Sequence, residues 1–123
     1  MERILNKQMS LTSDEQLKAE IILESLIQTR TTVSYSDFAV CMKLKGPQKI
    51  NRIVEWLEKI TLEDMRAGMP FRACMVFSKR TPGLPSSGFF SFCAKIEAFD
   101  WQNDPLKAQI FIQSHQNSLF SAK

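Results

Sequence analysis

The spacing of apolar positions changes period along this chain, and each change marks an expected element. From Ser13 to about Arg30, Leu17, Ile21, Ile22 and Leu26 recur at helical intervals. Ser13-Asp14-Glu15-Gln16 supplies a capping box in front of them, with two carboxylates suited to the positive helix end. Thr31, Thr32 and Val33 then favour extended chain. Ser34 to Asp37 offers cap chemistry for a short second helix, with Phe38, Ala39 and Met42 on its inner side and Cys41 at its edge. Gly46-Pro47 closes that unit and opens a long helix to about Ala67, with Ile50, Ile53, Val54, Leu57 and Ile60 on one face. Lys49, Arg52, Glu55, Lys59 and Glu63 lie on the other face, and Gly68 is a natural stop.

Beyond Gly68 the helical period is lost. Phe71–Phe77 and Phe89–Ile96 read as two strands around a turn-rich segment, Ser78–Gly88, so the expectation is a β-hairpin. Asn103-Asp104-Pro105 starts a last helix, over about 104–120, on which Leu106, Ile110 and either Phe111 or Ile112 pack. Met1, Ile4, Leu5 and Met9 make a short apolar lead-in. The predicted fold is α+β and winged-helix-like: a three-helix core, a β-hairpin wing and a C-terminal helix. One domain spans residues 1–123, with its core at about 13–96.

Composition adds limits. With 44% hydrophobic and 24% charged residues, 123 residues can build a core without disulfide or metal. Cys41, Cys74 and Cys93 form no CxxC pair and stand far from His115, the one histidine; they read as buried free thiols in a reducing compartment. No apolar stretch has the length of a membrane span or a signal sequence, so the protein is expected in the cytoplasm, with no membrane partner. Nothing calls for a cofactor, a metal or a small-molecule substrate. The Glu63-Asp64 pair reads as surface charge and His115 as solvent-facing, which leaves no base for a nucleophile and no expected catalytic residue.

Charge is more informative in its distribution than in its total. The net charge is +3. Residues 31–54 carry four basic groups against one acidic, and residues 69–96 carry four against none. Lys43 and Lys45 fall in the turn of the helix-turn-helix, Gln48, Lys49 and Arg52 at the start of its second helix, and Lys79 and Arg80 at the base of the wing. In such an arrangement Gln48 reads adenine, Arg52 reads guanine or holds a phosphate, and the remaining cations hold phosphates. Double-stranded DNA is therefore one expected partner. The other is a protein or a second copy of the chain, bound through exposed aromatic residues: Trp56 off the main stripe of its helix, Phe90 in the second strand and Trp101 in a polar loop.

One segment carries a family resemblance. Thr32-Val33-Ser34-Tyr35-Ser36-Asp37-Phe38-Ala39 resembles the T-x-x-Y-x-x-(apolar)-A entry of the winged-helix DNA-binding domain in alkylguanine DNA alkyltransferases and alkyltransferase-like proteins. The chain is also similar to small bacterial winged-helix-like domains, some of which precede HNH-type putative restriction endonucleases. There the likeness extends to Val76-Phe77-Ser78-Lys79-Arg80-Thr81-Pro82-Gly83-Leu84-Pro85-Ser86-Ser87-Gly88-Phe89-Phe90, and it covers about residues 17–93. It implies DNA recognition within DNA processing or defence. The Pro-Cys-His-Arg alkyl-acceptor motif is absent: Cys74 is followed by Met75. No nuclease segment follows the hairpin, so any cutting implied by the resemblance is left to another protein.

Overall fold

A computed structural model describes residues 10–81 and 83–121; the apolar lead-in at positions 1–9 and Pro82 lie outside that range. Within it the chain forms five α-helices, one 3-10 turn and two short strands. Helix α1 (Ser13–Thr29) is followed by β1 (Val33–Ser34), α2 (Tyr35–Met42) and α3 (Lys49–Arg66). The 3-10 turn Arg72–Met75 leads into β2 (Val76–Phe77), and α4 (Ser87–Lys95) and α5 (Pro105–Ser121) complete the order. The architecture is mostly helical, with a small parallel sheet.

Helix α1 starts one residue earlier than its sequence signals suggest. Thr12 is the cap: its Oγ1 accepts from the Glu15 N–H at 3.2 Å, while a Glu15 carboxylate oxygen accepts from the Thr12 N–H at 2.9 Å. The buried stripe is also turned. Ala19, Leu23 and Ile27 face the core, Ile22 and Leu26 are half-buried, and Leu17 and Ile21 are 61% and 71% exposed. Large apolar side chains thus occupy both sides of α1. The same correction applies to α5, which buries Ala108, Ile112 and Leu119 and leaves Leu106 and Ile110 exposed. Its start is as read, with Asp104 Oδ1 accepting from the Leu106 N–H at 3.0 Å.

Helix α2 follows its sequence closely. Ser34 Oγ accepts from the Asp37 N–H at 3.1 Å, and Phe38, Ala39 and Met42 are buried. Cys41, however, is exposed, unlike Cys74 and Cys93. Helix α3 begins two residues after Pro47, with Gln48 as N-cap. It buries Ile53, Trp56, Leu57 and Ile60, and Gly68 follows with φ +67°. Asp64 is buried rather than a surface charge. Its carboxylate accepts from the Arg72 backbone N–H at 3.0 Å and pairs with the Arg72 guanidinium at 2.9 Å.

The expected hairpin wing does not form. Phe89–Ile96 is not a strand: nearly all of it lies in α4, where Phe89, Phe90 and Cys93 fall on one buried face. As a strand, adjacent Phe89 and Phe90 would point to opposite faces; as a helix, both reach the same core. Of Phe71–Phe77, only Val76 and Phe77 form a strand, and they pair in parallel with β1 in the register Val33↔Val76 and Ser34↔Phe77. The intervening segment closes on itself, with the Ser78 N–H donating to the Leu84 carbonyl at 2.8 Å and the Leu84 N–H donating to the Thr81 carbonyl at 2.9 Å. A two-strand parallel sheet thus occupies the place assigned to a hairpin.

His115 is half-buried rather than solvent-facing. Its ring stacks on Phe71 with centroids 4.4 Å apart, and its Nδ1 accepts from the Phe71 N–H at 2.8 Å. One residue on, Gln116 Nε2 donates to the Cys74 carbonyl at 2.9 Å. These two bonds fasten α5 to the turn that carries Arg72–Met75.

Candidate nucleic-acid interface

The parallel sheet determines what lies beside the basic segments. Because Ser34 is registered with Phe77, the start of α2 adjoins the beginning of the Ser78–Pro85 loop. A shallow recess of about 190 Å³ is lined by Ser34, Tyr35 and Ser36, by Ile50 from the first turn of α3, and by Ser78, Lys79 and Arg80. Lys79 and Arg80 therefore lie across this recess from the start of α3, although about thirty residues separate the two in sequence. Tyr35 holds the far end of the loop: its phenol oxygen accepts from the Ser86 N–H at 3.1 Å. Burial raises the Tyr35 phenol above its ordinary value, so the hydroxyl stays neutral.

The seven polar residues singled out in the sequence fare differently. Lys43 is the C-cap of α2, exposed, with φ +58°. Lys45 and Gln48 are exposed, and Lys49 is half-exposed. Among the described residues, no ion pair involves Lys43, Lys45, Lys49 or Arg80. Lys79 Nζ lies 3.9 Å from the Asp37 carboxylate, both groups being well exposed, so solvent screens the pair strongly. Arg52 differs from all of these. Its guanidinium is ion-paired with Glu15, and its Nε donates to the Ser10 carbonyl at 3.3 Å. It fastens α3 to the start of α1, and the expected guanine-reading role has no unengaged guanidinium to perform it.

One further polar residue, not singled out in the sequence, stands beside Gln48. Asn51 is exposed on the first turn of α3, and its Nδ2 donates to Gln48 Oε1 at 2.8 Å. Isolated Asn residues in polar surroundings are common, and only the orientation of α3 distinguishes this one.

The expected aromatic docking set is overturned. Trp56 is 2% exposed and lies 6.3 Å from Phe38, centroid to centroid. Phe90 is 1% exposed, and Trp101, half-buried, stacks on it at 4.8 Å. Trp56 lies at the edge of the α3 stripe, where α2 covers it, and Trp101 folds back from its loop onto α4. Large exposed apolar side chains are aliphatic instead, Leu17 and Ile21 among them. They line a groove on α1 with Glu20, Glu24, Ser25, Gln28 and Arg72.

The two buried thiols are held neutral. Burial pushes Cys93 up to about 12 and Cys74 well above its ordinary value. No group of three or more His, Cys, Asp and Glu side chains suited to a metal ion occurs among the described residues. No helix among them is long and apolar enough to cross a membrane. Comparison of the chain with family models, with curated proteins and with solved structures gives no match.

Proposed function

We propose that this protein is a non-catalytic, cytoplasmic DNA-binding module of winged-helix-like type, in which the parallel strand pair and the loop after it take the place of the hairpin wing. The reading rests on one observation: Lys79 and Arg80 share a recess with Ile50, beside Lys49 at the start of α3. Lys43 and Lys45 precede that helix in the turn. Five cations thus flank the exposed first turn of a helix that follows a helix and a short turn, the arrangement in which phosphate contacts set the register on a duplex. The resemblance read in residues 32–39 and 76–90 favours the same reading, and what it implies is a role in DNA processing or defence. The buried, neutral Cys74 and Cys93 fit a role without covalent chemistry.

The test is titration of a fluorescently labelled duplex across salt concentration. If all five cations meet phosphates, log affinity falls against log salt with a slope of roughly −4 to −5. Between about 50 and 200 mM salt, that is a loss of several hundred-fold. Lys49→Glu combined with Lys79→Glu abolishes binding and leaves the circular dichroism spectrum unchanged. No binding by the unaltered chain at the lowest salt refutes the proposal.

A protein-binding reading has in its favour the exposed Leu17 and Ile21 on the groove of α1; Val40, Met69, Leu106 and Ile110 are also exposed but do not line that groove. Two apolar side chains on one groove are far short of the roughly 800 Å² per partner of a standard interface, so DNA is the partner we favour.

A further inference from the structure

We infer that residues 1–9 of this chain dock within their own molecule on the aliphatic groove along the outward side of α1, covering Leu17 and Ile21. This docking is independent of the DNA-binding reading above.

Ala19, Leu23 and Ile27 define the inner side of α1. Leu17 and Ile21 stand two positions before and after Ala19, about 200° around the axis in either direction, so they share the opposite side of the helix. Both are exposed, and they line a groove of about 570 Å³. Glu20 and Glu24 add two carboxylates to its lining. Arg72, the cation on its wall, is paired with Asp64 at 2.9 Å. The groove is thus aliphatic with an acidic excess.

Positions 1–9, which lie outside the described residues, have the complementary composition. Met1, Ile4, Leu5 and Met9 are apolar, and Arg3 and Lys7 are two cations against the single carboxylate of Glu2. The segment is also long enough. Ser10, to which it is joined, is fixed on the α3 side of α1: its Oγ donates to Glu55 at 2.7 Å, and its carbonyl accepts from Arg52 at 3.3 Å. From there the groove lies about 10 Å across the helix and about 6 to 12 Å along it, a path of roughly 12 to 16 Å. Leu5 and Ile4 stand five and six positions before Ser10, which as extended chain spans up to about 16 to 20 Å.

Two apolar side chains are too few to hold a separate protein. A segment joined through a few residues needs less, because its effective concentration at the groove is about 1 mM or more. The same linkage favours the chain's own segment over that of a second copy.

The test follows a thiol placed in the groove of the full chain. Ser25→Cys supplies it, in a Cys41→Ser background, because Cys41 is exposed whereas Cys74 and Cys93 are buried. Its rate of alkylation by a maleimide is compared with that of the same protein carrying Ile4→Asp and Leu5→Asp. A segment docked for about nine-tenths of the time slows the reaction about tenfold, so the two aspartates raise the rate by about that factor. Arg3→Glu with Lys7→Glu raises it by a smaller factor. Protection is unchanged on dilution, as a contact within one chain requires. Equal rates with and without the aspartates overturn the inference. Protection that fades on dilution overturns it as well, because it assigns the groove to a second copy. Cys74 and Cys93 stay unreacted throughout; their reaction in the aspartate variant would mean general opening and would count against docking.

Discussion

Side chains that the sequence marks as surface or solvent groups hold the backbone together here. Asp64 and His115 satisfy consecutive N–H groups, those of Arg72 and Phe71, at the point where the chain leaves α3 and enters the 3-10 turn. Burial lowers the His115 pKa, against a smaller opposing influence of Asp64. With Nδ1 accepting from Phe71, the neutral ring is the form the fold uses. The unfolded chain therefore binds this proton more readily, and stability rises with pH across the window. The contribution is complete above about pH 7 and is lost as pH falls below the unfolded value of about 6.5. Urea unfolding at pH 7.5 and 5.5 detects the loss, and His115→Gln, which removes the only histidine, flattens the curve over that interval. Glu58 acts in the opposite sense, since burial and then Glu55 raise its pKa, so the difference between the two proteins isolates the histidine. None of this is legible in sequence, because a polar residue on a helix gives no sign of which backbone N–H lies across from it.

At the scale of elements, legibility follows the strength of local signals. The cap serine of α2, Pro105 at the head of α5 and the amphipathic stripe of α3 are local, and all three are where the sequence places them. The apolar faces of α1 and α5 were misplaced because each carries large apolar residues on more than one side, and only tertiary packing chooses between them. The segment 89–96 is ambiguous for a related reason. A run of Phe with one polar interruption satisfies either period, and the flanking turn residues favour a hairpin. Ser86 and Ser87 in fact open a helix. Gly88 sits in its first turn with a negative φ, and a Cβ there would meet only the Ser86 hydroxyl at 3.7 Å, an ordinary contact. Gly88→Ala is accordingly stabilising by about 0.5 to 1 kcal/mol, read as a higher urea midpoint with an unchanged slope.

Across the whole molecule, the candidate interface was half legible. Lys43, Lys45, Lys49, Lys79 and Arg80 are exposed or half-exposed as anticipated, because clustered like charges seek solvent. What is hidden is the use of Arg52 as an internal tie, since that depends on how α1 lies against α3. The aromatic residues were hidden in the opposite sense, belonging to the core. Tyr35 connects the two halves of the interface through its bond to the Ser86 N–H. Tyr35→Phe leaves that donor unpaired in a half-buried place and costs about 1 to 2 kcal/mol in chemical denaturation. A loss below about 0.3 kcal/mol would mean that water takes over the bond.

The pairing of Val33 with Val76 also has a kinetic meaning. The two partners are 43 positions apart, and a chain segment of that length must close before their hydrogen bonds form. Helices α1, α2 and α3 are local and form on their own timescale. During synthesis, all of Lys43–Arg52 emerges before Val76 does, so a nascent chain carries the first basic segment without the second. If the proposed DNA-binding reading holds, a duplex bound to both segments stabilises that closure against opening.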